Sequence, residues 1–179
     1  EKRAGSVRVS AKNKTIPTPL PIKDVYKIIR INRMAPKIWA ADSPEKQTDR
    51  GRKIHEILSY IKTIDDTDKA ITKALREGLI TTHDVGDVKG LLLSLLKNPK
   101  VEPYFLPGLK IKNEAEILLQ NGRVIRPDRL VFYEDKISII DFKTGAPNKD
   151  HKVQILEYKS HIENLGYLVK ELILIYQLV

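Results

Sequence analysis

Apolar residues recur at helical spacing through the first half of the chain, and from residue 109 the period shortens towards two. Ser43-Pro44-Glu45 reads as a helix start, with Ser as N-cap, Pro in the first turn and an acid at the positive end. Ile54, Ile57, Leu58, Ile61 and Ile64 follow as one apolar stripe. A second helix is predicted over 66–77, ending at Gly78, and a third over 82–98, where Pro99 stops it. Beyond the change of period, 109–119 reads as a strand, Asn121-Gly122 as a hairpin turn and 123–133 as the next strand. Residues 136–143 complete a three-strand meander, and 144–148 form a loop. A helix over 151–165 closes at Gly166, and 168–178 is a nearly all-apolar and therefore central last strand. Upstream, Pro17, Pro19 and Pro21 favour an extended segment, with a short helix predicted over 23–32. The order is that of a mixed α/β domain with an N-terminal helical part.

The meander carries the most informative residues. Arg129-Leu130-Val131-Phe132-Tyr133 and Lys136-Ile137-Ser138-Ile139-Ile140 flank Glu134-Asp135, the only polar break between them. If that pair is a two-residue turn, counting back along both strands sets Leu130 against Ile139 and Asp128 directly against Asp141. Facing side chains have Cβ atoms roughly 4.5–5.5 Å apart, where like charges are destabilising. Lys143 lies two residues beyond Asp141 and shares its face. Two acids and a lysine at the end of an apolar hairpin point to a metal site.

At 179 residues with 41% hydrophobic and 31% charged composition, the chain suits one soluble domain with a substantial core. No stretch approaches the roughly 20 apolar residues of a membrane helix, and no secretory signal is visible. Cysteine is absent, which excludes disulfides, thiolate zinc sites and iron–sulfur clusters and is compatible with a cytoplasmic location. No phosphate-binding Gly-Lys loop occurs, so no ATP site is expected in this chain. The chain opens on Glu1, as a piece of a larger protein would. Residues 1–38 hold ten Lys/Arg against two acids, so this segment carries nearly all of the net charge of +9. It reads either as a solubilising arm or linker or as a contact for a polyanion, ahead of a folded domain at 39–179.

Five pieces in order extend the picture: Gly51-Arg52-Lys53-Ile54-His55, the strand with Glu114 and Glu116, Arg126-Pro127-Asp128, Asp141-Phe142-Lys143-Thr144-Gly145, and Gln154 with Tyr158. On these residues the chain resembles the PD-(D/E)XK nuclease superfamily, and within it the RecB-type nuclease domain at the C-terminus of AddA- and UvrD-like helicase–nucleases. The resemblance implies a restriction-endonuclease-like three-layer α/β/α core with a mixed sheet. It implies a DNA nuclease, an exonuclease in double-strand break repair and recombination, using magnesium or manganese. Asp128, Asp141, His55 and the Phe142 carbonyl would be metal ligands, and hard divalent cations do prefer carboxylate oxygen. Lys143, with the two acids, would be catalytic.

Gln154 and Tyr158, one helical turn apart, would orient the site or the substrate strand; packing is the plain alternative for Tyr158. Which of Glu114 and Glu116 matches the family's acid is open. His55 lies about 120° from the centre of its helix's apolar stripe, on Gly51's side, and Gly51 leaves room for a close neighbour. The implied partners are DNA, bound through its backbone without sequence preference, a helicase portion of the parent chain and a second subunit. A catalytically silent DNA-binding or scaffolding module of the same fold is the rival reading.

Overall fold

The computed structural model describes residues 26–31 and 44–177. It is an α/β fold of four helices and a mixed five-stranded sheet, with a separate two-stranded ribbon. Helix α1 spans Pro44–Ser59, α2 Thr67–Arg76, α3 Val85–Leu96 and α4 Lys149–Asn164. The strands are β1 (Tyr26–Ile31), β2 (Lys110–Asn113), β3 (Ile117–Leu118), β4 (Val124–Ile125), β5 (Arg129–Tyr133), β6 (Lys136–Thr144) and β7 (Leu168–Gln177). The sheet order is β1-β7-β6-β5-β2, while β3 and β4 pair with each other. β7 is central, as its apolar composition requires, and runs parallel to both β6 and β1.

The meander register follows the two-residue turn. Leu130 faces Ile139, Phe132 faces Ile137 and Tyr133 faces Lys136. Alternation then divides the core into two halves. On one face Val131, Ile140, Phe142 and Ile173 join Ile54, Ile57, Leu58 and Ile61 with the apolar residues of α2 and α3. On the other, Leu130, Ile139, Leu172 and Leu174 pack on Ile155, Tyr158 and Ile162 of α4. Two Thr-x-x-Asp turns start α2 and α3: the Asp66 and Asp84 carboxylates accept from the backbone N–H of Thr63 and Thr81.

Three expectations change. Residues 26–31 form strand β1 instead of a helix, because β-branched Ile29 and Ile31 bury against the helical layer while the backbone pairs with β7. These residues fall inside the segment read as an arm, so the sheet reaches into it. The strands expected at 109–119 and 123–133 are each broken in two. Glu114 adopts a φ of 48° after β2, and Pro127, which has no N–H for a ladder, separates β4 from β5. The first apolar stripe also outruns its helix: α1 ends at Ser59, and Ile64 lies in a short 3₁₀ turn. The proline-rich stretch, the Ser43 cap and the basic residues before Tyr26 lie outside the described residues.

Arg129, 1% exposed, ties the hairpin to the helical layer, although among the described residues nothing ionised bonds to it. Its guanidinium donates to the carbonyls of Ile61 (2.9 Å), Lys62 (2.7 Å) and Tyr104 (3.1 and 2.9 Å) and to Asn113 Oδ1 (2.9 Å), and it lies 3.9 Å from the Phe105 ring centre. Asn113 in turn donates to the carbonyls of Ser59 and Ile61. β2 and β5 thereby hold the end of α1, the helix that bears His55. Replacing Arg129 with Met would strand these buried acceptors, and a stability loss of about 3 kcal/mol or more is expected in urea denaturation. A loss under about 1 kcal/mol would show that the clasp is dispensable.

Candidate active site

The hairpin register sets the geometry of the cluster. The ladder ends at the Arg129–Ile140 pair, and Asp128, one residue further, lies close enough to β6 to bond its backbone and to act on the Asp141 charge. The Phe142 amide donates to Asp128 Oδ2 at 2.6 Å, fixing that carboxylate on the strand carrying the second acid. The Asp141 side chain is 2% exposed. Burial first, and the Asp128 charge second, push its carboxyl up to about 6. Lys143 Nζ lies 2.5 Å from Asp141 Oδ2 but outside hydrogen-bond geometry, which leaves that oxygen buried with no hydrogen-bond partner.

Helix α4 organises the lysine. Lys143 Nζ donates to Gln154 Oε1 at 2.7 Å, Gln154 Nε2 donates to the Tyr158 hydroxyl at 2.8 Å, and that hydroxyl reaches the Arg126 carbonyl at 3.4 Å. Each group is used in the direction its chemistry allows, so the run from Lys143 to Arg126 is a single hydrogen-bonded relay. Asn148 caps α4 by accepting from the Asp150 amide, holding the helix start beside the end of β6. Tyr158 also packs among apolar neighbours, so both readings of it hold at once.

Helix α1 supplies the opposite wall. His55 Nδ1 is 3.5 Å from Asp128 Oδ2, and its ring meets Phe142 edge-on. Burial opposes protonation of His55, but the Asp128 and Asp141 charges outweigh it and raise its pKa. The Phe142 ring is in the core, as expected. Gly51, one turn before His55, makes the close approach predicted for it. A Cβ there would lie 2.7 Å from Thr144 Oγ1, so the glycine lets α1 press on the end of β6.

The structure separates the two glutamates. Glu114 N donates to the Asp128 carbonyl at 2.9 Å, and the side chain pairs with Arg126 at 2.9 Å. Burial, then Asp128, raises the Glu114 carboxyl to about 7. Glu116 is exposed and only 4.0 Å from Arg126. The backbone turn at Glu114 removes both from the single strand face on which they were expected.

Arg126 and Thr144 were within the motifs but carried no assigned role. The contact of Thr144 was signalled only by the small residue facing it. His151 hydrogen-bonds the Tyr176 hydroxyl at 3.0 Å, and burial lowers its pKa.

Seven of the expected side chains, His55, Glu114, Asp128, Asp141, Lys143, Gln154 and Tyr158, thus converge at one end of the sheet. Among the described residues no group of three or more His, Asp or Glu side chains is already arranged to hold a metal ion. As placed, Asp128 is turned onto the Phe142 amide and Asp141 onto Lys143. In comparisons with known proteins, the chain matches no family model and no curated protein sequence.

Two outcomes follow from this geometry. Because the Asp141 carboxyl is raised above its unfolded value of 3.8, the folded state holds its proton more tightly and stability falls as pH rises from about 4 to about 6. Asp141→Asn removes that cost, so metal-free variant protein should be about 1–3 kcal/mol more stable than the parent at pH 7.5. The advantage should shrink towards pH 4, as read by urea denaturation; a variant less stable at pH 7.5 contradicts this. Gly51→Ala should cost about 1–3 kcal/mol in the parent and much less beside Thr144→Ala. Equal costs in both backgrounds would remove the close-approach explanation.

Proposed function

We propose that the chain is a metal-dependent DNA nuclease domain hydrolysing phosphodiester bonds, with the restriction-endonuclease-like layering that its helices and sheet would form. The observation that carries this reading is the pair Asp128 and Asp141. Two carboxylates held close together at the end of an apolar hairpin, one of them buried with its carboxyl pushed up first by burial and then by the other's charge, have the Lys143 ammonium as a single cation beside Asp141, so a further cation would be stabilised between them.

The donor set fits magnesium or manganese. Asp128, Asp141 and the His55 imidazole would hold the ion, with the Phe142 carbonyl added by the family resemblance. When bound, such an ion lowers the pKa of a coordinated water and screens the scissile phosphate. Lys143 places its Nζ beside Asp141, where an approaching phosphodiester and its developing negative charge need a cationic group. Gln154 and Tyr158 fix the ammonium through one helix face. Asp128, anchored by the Phe142 amide, keeps His55 aligned. Hydrolysis adds water across the P–O bond: the phosphorus keeps the hydroxyl oxygen and the leaving alkoxide takes a proton.

An exonuclease working beside a helicase portion of its parent chain, and with a second subunit, is the setting that the resemblance suggests. The Lys143 contact with Asp141 is the one observation favouring the silent-module reading, since that lysine sits where a metal would compete with it.

The test is incubation of the chain with linear and closed circular DNA, single- and double-stranded, with magnesium, with manganese and with chelator. Cleavage is expected only with metal, only on ends if the activity is exonucleolytic, and at less than about 1% of the parent rate in Asp141→Ala. DNA binding without cleavage under any metal would favour the silent module.

A further inference from the structure

A concavity of about 570 Å³ opens at the other end of the sheet, between the start of β7, the edge strand β1 and the loop after α3. It is separate from the carboxylate cluster. Glu171 at its wall pairs with Ser138, whereas Tyr176 pairs with Lys143, five residues further along β7 and so roughly 17 Å away. Its size is that of a small-molecule site.

The chemistry of its wall is uneven. Lys27, Lys100 and Lys170 line it together with a single acid, Glu171. That carboxylate is already engaged: it pairs with Lys27 and accepts from the Tyr104 hydroxyl at 2.9 Å. Burial works against its ionisation, but these partners hold its pKa below the usual range. Lys170 lies over the Tyr133 ring at 4.1 Å, and its charge, like that of Lys27, also acts on Glu171. Three lysines against one carboxylate leave the wall with a net positive charge of two. Pro99, Pro103 and Ile28 supply an apolar shelf beside the lysines.

A net charge of two on the wall is matched by a phosphate monoester, which carries about −1.5 to −2 at neutral pH, better than by a diester with a single charge. We propose that this concavity is a second ligand site for a nucleotide phosphomonoester, with the phosphate between Lys100 and Lys170 and the sugar and base along Pro99 and Pro103. Two sources share that chemistry: a free mononucleotide and the phosphorylated end of a DNA strand. The site stands on its own residues and does not require that the carboxylate cluster cut DNA.

Equilibrium binding in chelator, where metal-dependent cleavage cannot intervene, tests it. The probes are dAMP against deoxyadenosine, and a short single strand with a terminal phosphate against the same strand with a terminal hydroxyl. At least one phosphorylated probe should bind about tenfold more tightly than its partner. Lys100→Ala/Lys170→Ala should abolish that preference, and Lys100→Arg/Lys170→Arg should retain it, both with unchanged melting temperature. A preference confined to dAMP identifies the free nucleotide, and one confined to the strand identifies the strand end. Equal binding of phosphorylated and unphosphorylated probes, or a preference that survives the double alanine change, overturns the proposal. Neither result bears on cleavage, so failure here and failure of the nuclease reading are distinguishable.

Discussion

Asp128 and Asp141 are brought together because Glu134-Asp135 turns in two residues, and much of the surrounding structure answers the repulsion between them. A one-residue slip in the hairpin would exchange the two faces of β5 and move Asp128 off Asp141. The register is specified by burial on both sides: Leu130, Ile137 and Ile139 face α4, and Val131 and Ile140 face the helical layer. The apolar core thus holds the two acids together despite their charge. The Phe142 amide, Lys143 and His55 then offset part of that cost, while burial first and the Asp128 charge second keep the Asp141 carboxyl raised.

The same economy of position extends outward. Asp128 and Arg129 are adjacent, yet one sits in the polar cluster and the other is buried in a cage of carbonyls. Through Arg129 and Asn113 the strands hold the end of α1. Through Gly51 the middle of that helix is pressed on Thr144. His55 lies between these two attachments, so its distance from Asp128 is set from both sides along the helix. The lysine is treated likewise from the other face, where Gln154 and Tyr158 restrict an otherwise flexible side chain.

Most of this was legible in the residues. Strong periodicity located α2, α3, α4 and β7, and the turn pair fixed the β5–β6 register and hence the facing acids. The close approach at Gly51 was also foreseen, though not the residue that makes it. Tertiary effects were not legible. β1 is a strand because β7 offers it a partner, and local composition alone could not show that. The left-handed backbone at Glu114 belongs to a residue type that rarely adopts it, so the break in the first meander strand, and the separation of Glu114 from Glu116, left no local trace. The clasp by Arg129 depends on backbone carbonyls from two distant segments, Ile61-Lys62 and Tyr104, which no spacing rule reaches.

The central claim is that the facing acids exist to share a divalent cation. Manganese titration followed by electron paramagnetic resonance, in which bound ions lose the sharp signal of free Mn²⁺, tests this without requiring cleavage. Saturable binding in the parent chain that is lost in both Asp128→Asn and Asp141→Asn is the expected result. A parent chain that binds no manganese, or variants that bind as it does, would contradict it.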